Sequence, residues 1–233
     1  MSRVWITRAQ PGAEATAARV RDLGLEPLVE PLLEVRALPA DPVELAGVGA
    51  VAFTSANAVR AFAQRSAERV LPVFVVGTAT AAAARDAGFT DVRSAEGDVR
   101  AVGELIVSQR SALEGAVLHP SAAEPAGDLV GALTEAGIEA RRLTLYETVA
   151  RLPGPTLFEA LPGLRFVLVH SPRAARVLAE ILARSPAPAL TALCLSPAVA
   201  APLAEAGLAV VASAEAPRED ELMGLLDGWA RSG

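Results

Sequence analysis

Six short polar turns hold most of the groups in this chain that could do chemistry. They read Thr7-Arg8, Thr54-Ser55-Ala56-Asn57, Gly77-Thr78-Ala79-Thr80, His119-Pro120-Ser121, His170-Ser171-Pro172-Arg173 and Ser196-Pro197. Each closes a short apolar run and opens a stretch of helical character. Hydroxyls, amides, arginines and the bare N–H groups of a helix start are all donors. Together they suit the recognition of anions, carboxylates above all. Any one Ser, Thr or Asn at such a place could equally be an N-cap serving its own helix. Several of them on one edge of an α/β sheet point to a binding edge, because ligands lie beyond the carboxyl ends of the strands. Tyr146 is the only tyrosine. Read by itself, it is an amphipathic ring packed at a strand end with its hydroxyl in water.

What is missing narrows the chemistry. All 21 basic residues are Arg, which removes a lysine Schiff base and a P-loop lysine. Gly47-Val48-Gly49 lacks the third glycine of a dinucleotide fingerprint, and no HExxH, CxxC or GxSxG occurs. His119 and His170 cannot hold a metal without carboxylate help, so neither a metal nor an organic cofactor is expected. Cys194 is the only cysteine. It lies in Leu193-Cys194-Leu195 and reads as a buried thiol in a reducing compartment, the cytoplasm. A net charge of −6 argues against nucleic acid, which needs a basic face. The opening MSRVWITRAQ lacks the apolar stretch of a signal peptide. The uncharged run Ser185 to Ala204 has the length of a membrane span. Pro186, Pro188, Pro197 and Pro202 break it into strand, turn and helix, so no membrane contact is expected.

The elements that position these turns are written twice. Segment A runs Val4-Trp5-Ile6-Thr7, a helix, Leu23-Gly24-Leu25 and Pro27 to Val35. It returns as Ala116-Val117-Leu118-His119, a helix, Ala136-Gly137-Ile138 and Arg141 to Val149. Segment B, Val51-Ala52-Phe53-Thr54-Ser55, returns as Val167-Leu168-Val169-His170-Ser171. Segment C, Val73 to Phe89, returns as Ala192 to Leu208. The order A-B-C is kept, with a period of roughly 115 residues, which is close to the usual size of a domain. Hydrophobic residues make up 52% of the chain but aromatics only 4%, so sizeable cores must be built from Ala, Val and Leu. Strands alternating with helices predict parallel sheets covered on both faces. The continuous apolar runs Val51-Ala52-Phe53 and Phe166-Val167-Leu168-Val169 suit strands buried on both sides. Two similar lobes imply a ligand cleft. Pro-containing connectors span 35–42 and 147–155.

At these motifs the chain resembles the uroporphyrinogen-III synthase family. Val4-Trp5-Ile6-Thr7-Arg8 is similar to its opening strand and "TR" turn, and Thr54-Ser55-Ala56-Asn57-Ala58-Val59 to its "TS-x-N-x-V" segment. Val75 to Ala81 is similar to its "VG-x-x-TA" turn, His170-Ser171-Pro172-Arg173-Ala174 to its second "SP" turn, and Tyr146-Glu147-Thr148 to its "Y-x-T" segment. The likeness covers nearly the whole chain in order. It implies two flavodoxin-like α/β domains whose lobes interleave: 1–35 with 150–233, and 39–146. A two-stranded connector, 36–38 and 147–149, joins them. From the repeat alone the cut would fall near residue 113. Where the family often has a threonine after the last core strand, this chain has Ser196.

The resemblance implies a cyclising lyase of heme biosynthesis. It would convert hydroxymethylbilane, a linear tetrapyrrole rich in carboxylates, to uroporphyrinogen III, losing water and inverting the last ring. Tyr146 is then the candidate general acid. Arg8, Ser55, Asn57, Thr78, Thr80, His119, Ser171, Arg173 and Ser196 are the candidate substrate contacts. A monomer is expected, with the enzyme that makes hydroxymethylbilane as a conceivable partner. From other classes, a non-catalytic two-lobed receptor for a small anion and a nucleotide- or sugar-phosphate-binding protein stay open.

Overall fold

The structure, a computed structural model, describes residues 2–10, 12–39 and 42–232. Ala40 and Asp41, in the first expected connector, lie outside them. In chain order the elements begin β1 (Arg3–Ile6), α1 (Gly12–Asp22), β2 (Glu26–Val29), β3 (Leu33–Ala37) and β4 (Val48–Phe53). Next come α2 (Ala56–Ala63), β5 (Val73–Val75), α3 (Thr78–Asp86), β6 (Val92–Ser94) and α4 (Val99–Ser108). Then follow β7 (Ala116–Ala122), α5 (Leu129–Glu135), β8 (Ala140–Ala150), α6 (Pro155–Ala160) and β9 (Leu164–Val169). The chain ends with α7 (Pro172–Arg184), β10 (Thr191–Cys194), α8 (Pro197–Ala200), β11 (Val210–Ser213) and α9 (Glu219–Arg231).

Local signals explain the helix boundaries. Ser171 caps α7, accepting from the Ala174 N–H at 3.2 Å, and Pro172 stands at the first helical position. The helix buries Ala174, Ala175, Val177, Leu178, Ile181 and Leu182, the spacing of one helical face. Gly24, Gly88 and Gly137 take φ of +73, +97 and +74° just past their helices, and Gly207 takes +68° in the connection from α8 to β11. That left-handed conformation closes a last turn and strains any residue with a Cβ. The uncharged run from Ser185 is divided as its prolines predict. Among the described residues no helix is long and apolar enough to cross a membrane.

The chain divides into two compact units, Met1–Glu34 with Val149–Gly233, and Val35–Thr148. In the first unit the strand order is β11-β10-β9-β1-β2, and every paired neighbour is parallel. Counted along its own segments this is the doubly wound order 2-1-3-4-5. Alternate residues enter opposite cores. Trp5, Val167 and Val169 face one, while Val4, Ile6, Phe166 and Leu168 face the other.

The second unit has the order β3-β8-β7-β4-β5-β6. With β7 and β8 taken as first and second strands, β8-β7-β4-β5-β6 is the same 2-1-3-4-5 order. Each sheet therefore joins an A segment from one repeat to the B and C segments of the other. Val51, Phe53, Val73 and Val75 enter one core, and Ala50, Ala52 and Phe74 the other. The passages between units run inside strands. β3 and β8 are neighbours in this sheet, and the 36–38 and 147–149 stretches expected as the connector fall mainly within these two strands.

The exchange makes fragments informative. Residues 1–112 retain β1 and β2 without β9, and β4 without its neighbour β7. Such a fragment should show no cooperative thermal melt by circular dichroism, whereas 35–148 should melt cooperatively.

Candidate functional site

In the second unit the candidates gather where β7 meets β4, the place where strand order reverses. β4 is buried throughout and ends at Phe53, which puts Thr54 and Ser55 on its carboxyl edge. Ser55 is extended, with φ −160°, and caps α2 by accepting from the Ala58 N–H at 3.1 Å. The same oxygen lies 2.8 Å from the Tyr146 hydroxyl. β7–β8 register sets Tyr146 opposite Ala122, so the ring lies inside β8 and not at its end. Tyr146 is 5% exposed and packs with Phe53, Val59 and Leu145. Its hydroxyl meets Ser55 where the isolated reading put water. Burial pushes the phenol above its ordinary pKa, and the Ser55 hydrogen bond offsets part of that rise.

His119, on β7, is 1% exposed and its Nε2 lies 3.2 Å from Thr54 Oγ1. Burial, then the charge of Arg142, lowers it to about 4, against a smaller opposing effect of Asp128. At neutral pH it is an uncharged ring that braces the β4 turn through Thr54. Asn57 Oδ1 accepts from Arg60 at 3.1 Å. Thr78 is exposed at the first position of α3, and Thr80 is buried on its first turn. Because β7, β4 and β5 are adjacent and parallel, these residues share one carboxyl edge.

In the first unit the corresponding edge follows β1, β9 and β10. Arg8 is not an isolated cation there. Its Nη1 donates to Glu219 Oε2 at 3.0 Å and to Thr16 Oγ1 at 3.3 Å. Thr16 donates to Glu219 Oε1 at 2.6 Å, and His170 Nε2 lies 3.2 Å from Glu219 Oε2. Burial pushes Glu219 up, but His170, Thr16 and Arg8 outweigh it and hold the carboxyl at about 2. Sequence reasoning missed Glu219 and Thr16. Glu219 looks like one of three acids in the first turn of α9, a common complement to a helix dipole, and its partner Arg8 is 211 residues away. Ser171 is committed to its cap, and Arg173 lies in the first turn of α7. Ser196 opens α8 without a side-chain capping bond. Cys194 is buried, which raises its thiol to about 12. Among the described residues no three His, Cys, Asp or Glu are grouped to hold a metal.

A family model described as uroporphyrinogen-III synthase HemD matches residues 14–224. The chain belongs to the uroporphyrinogen-III synthase family. Its fold is similar to that of uroporphyrinogen-III synthetase from Helicobacter pylori, with a TM-score of 0.68 at 19% identity, covering 98% of this chain and 100% of that one. It is also similar to a mutant uroporphyrinogen III synthase from Thermus thermophilus, with a TM-score of 0.58 at 22% identity, covering 100% and 98%. No curated protein matches. Membership makes the chain a cyclising lyase of tetrapyrrole biosynthesis.

Two groups set the acid response, buried His119 and half-buried Glu219. His119 titrates near its ordinary 6.5 when unfolded but at about 4 when folded. Its depressed value means the folded state resists protonation. The stability involved is fully present above pH 6.5 and is lost as pH falls towards 4, by about 3 kcal/mol. Glu219 adds a second loss as pH falls from 4.5 towards about 2. Urea melts from pH 7.5 to 4.5 should show the first loss in the native chain, and a flatter profile in His119→Gln.

Proposed function

We propose that the chain cyclises hydroxymethylbilane to uroporphyrinogen III, with Tyr146 donating the proton that lets the terminal hydroxyl leave as water. The family match over residues 14–224 carries the reaction. The Ser55–Tyr146 hydrogen bond of 2.8 Å supports the proton role. Burial keeps the phenol protonated at neutral pH, so a proton is held ready. Once it is given up, the Ser55 O–H can donate to the phenolate oxygen while Ser55 still caps α2. Loss of the hydroxyl leaves an electrophilic azafulvene, which a pyrrole carbon attacks before the ring carbon sheds its proton.

The substrate is a polyanion and the chain is itself negative, so the attraction must be local. The starts of α2 and α3 point backbone N–H groups at the strand edge. Arg8 and Arg173 add side-chain donors, each charge-assisted bond being worth ~1.5–3 kcal/mol. The substrate also cyclises by itself without inversion, so holding it in the inverting geometry is a large share of the task. No observation favours the receptor or nucleotide alternatives. We take the chain to act as a monomer in the cytoplasm; its lone buried thiol, Cys194, supports a reducing compartment. The supplier of hydroxymethylbilane is then the natural partner.

The test is a coupled assay that separates the type III and type I isomers, run with and without a chelator. Type III product is expected in both cases. Type I alone, at the spontaneous rate, overturns the reading. Tyr146→Phe keeps the ring packing and removes only the hydroxyl. Its kcat should fall on the order of 10²-fold or more, with a stability loss of about 1 kcal/mol for the lost hydrogen bond. A fall of less than about tenfold would assign the rate to positioning instead.

A further inference from the structure

Regular β-strands send successive side chains to opposite faces, and β8 breaks that rule at Tyr146. Ser121 of β7 pairs with Thr144, and the next residue, Ala122, pairs with Tyr146. The register shifts by one residue there, and Leu145 is left over. Leu145 and Tyr146 then enter the same core, with Phe53 and Val59. An extra residue of this kind re-aims a side chain. The backbone is tied down on both sides of the shift. Leu38, just past β3, donates to the Leu145 carbonyl at 2.9 Å, and Ala123 donates to the Tyr146 carbonyl at 2.8 Å. The strand order is β8-β7-β4, so the ring reaches across β7 to the turn after β4, where its hydroxyl lies 2.8 Å from Ser55 Oγ.

The other contact of Ser55 bears on the direction of that hydrogen bond. Among the described residues its Oγ has two partners, the Ala58 N–H at 3.1 Å and the Tyr146 hydroxyl. An N–H only donates, so Oγ is an acceptor towards Ala58, and it has one proton of its own to give. Given to the phenol oxygen, that proton completes a chain from the positive start of α2 through Ser55 to Tyr146. Hydrogen bonds aligned in this way polarise and strengthen one another. The opposite order would bring two donors onto Oγ and leave its proton with no protein acceptor among the described residues. We propose that Ser55 is the positioning residue for Tyr146: it donates to the phenol oxygen and so leaves the phenol's own proton to the substrate. This rests on the proton role proposed above, and it moves Ser55 out of the substrate contacts. The same bond serves after transfer, when the phenolate finds a donor already in place. Burial raises the phenol's pKa and Ser55 lowers it, with no charged side chain among the causes. The serine is thus the group that favours the phenolate.

The experiment is the isomer-resolved assay with hydroxymethylbilane, measuring kcat and KM. Gly ranks close to Ser at an N-cap, and Ser55 is extended, with φ −160°. Ser55→Gly therefore deletes the hydroxyl, adds no charge and keeps the start of α2. Its kcat should fall about tenfold or more, with KM little changed. Ser55→Thr keeps a hydroxyl for both bonds and should recover most of that loss. Ser55→Gly made in the Tyr146→Phe variant should cost little more, because a residue that acts through the phenol has nothing left to act on. Equal losses in both backgrounds, or a higher KM with native kcat, make Ser55 a substrate contact and overturn the inference. A lowered melting temperature with native kcat makes Ser55 a helix cap alone and also overturns it. A Tyr146→Phe variant slowed by less than about tenfold, or no type III product from the native chain, overturns the reading on which the inference rests.

Discussion

Two parallel strand pairings hold this molecule's design together: β1 on β9, and β4 on β7. In each, a strand from one repeat lies beside a strand from the other. The pairing is made of buried backbone hydrogen bonds in an apolar sheet, where a missing partner leaves N–H and C=O groups without water. Neither A segment can therefore be satisfied within its own half of the chain. The same two pairings create the junctions at which strand order reverses. Fold and site are consequences of one exchange, because the turns after β1, β9 and β4 carry Arg8, His170 and Ser55, and β7 itself carries the His119 brace.

The two junctions use buried polarity in opposite ways. Around Tyr146 and His119 the groups are neutral: a protonated phenol, a serine cap and an uncharged imidazole. Desolvation dominates, and it favours forms without charge. Around Glu219 a carboxylate overcomes the same desolvation because three donors converge on it. One edge is suited to holding a proton, the other to balancing charge.

Legibility followed sequence distance. Caps and closing glycines are local, so Ser55, Ser171 and Gly24 can be read from a few neighbours. The α/β class followed from the alternation of apolar runs and helices. The exchange of halves did not follow from the repeat, which alone suggests a cut between copies; the family resemblance supplied it. The course of β8 was also hidden. Glu147-Thr148 looks like the end of a strand, yet pairing carries the strand through it to Ala150. Glu219 was opaque because its meaning depends on Arg8, Thr16 and His170, none of them within 48 residues of it on the chain; the nearest, His170, is 49 away.

The exchange also has a temporal side. Thr7 donates its hydroxyl to the carbonyl of Leu168, 161 residues further on. At roughly 5–20 residues per second, a ribosome needs on the order of ten to thirty seconds to deliver that partner. In that interval the second unit can finish, since its last strand is complete at Ala150. The apolar Val4-Trp5-Ile6 strand is made long before β9, the strand that lies beside it. A nascent chain of this design leaves the same short sticky segment open to holding chaperones throughout that interval, and can close its first unit only after its second.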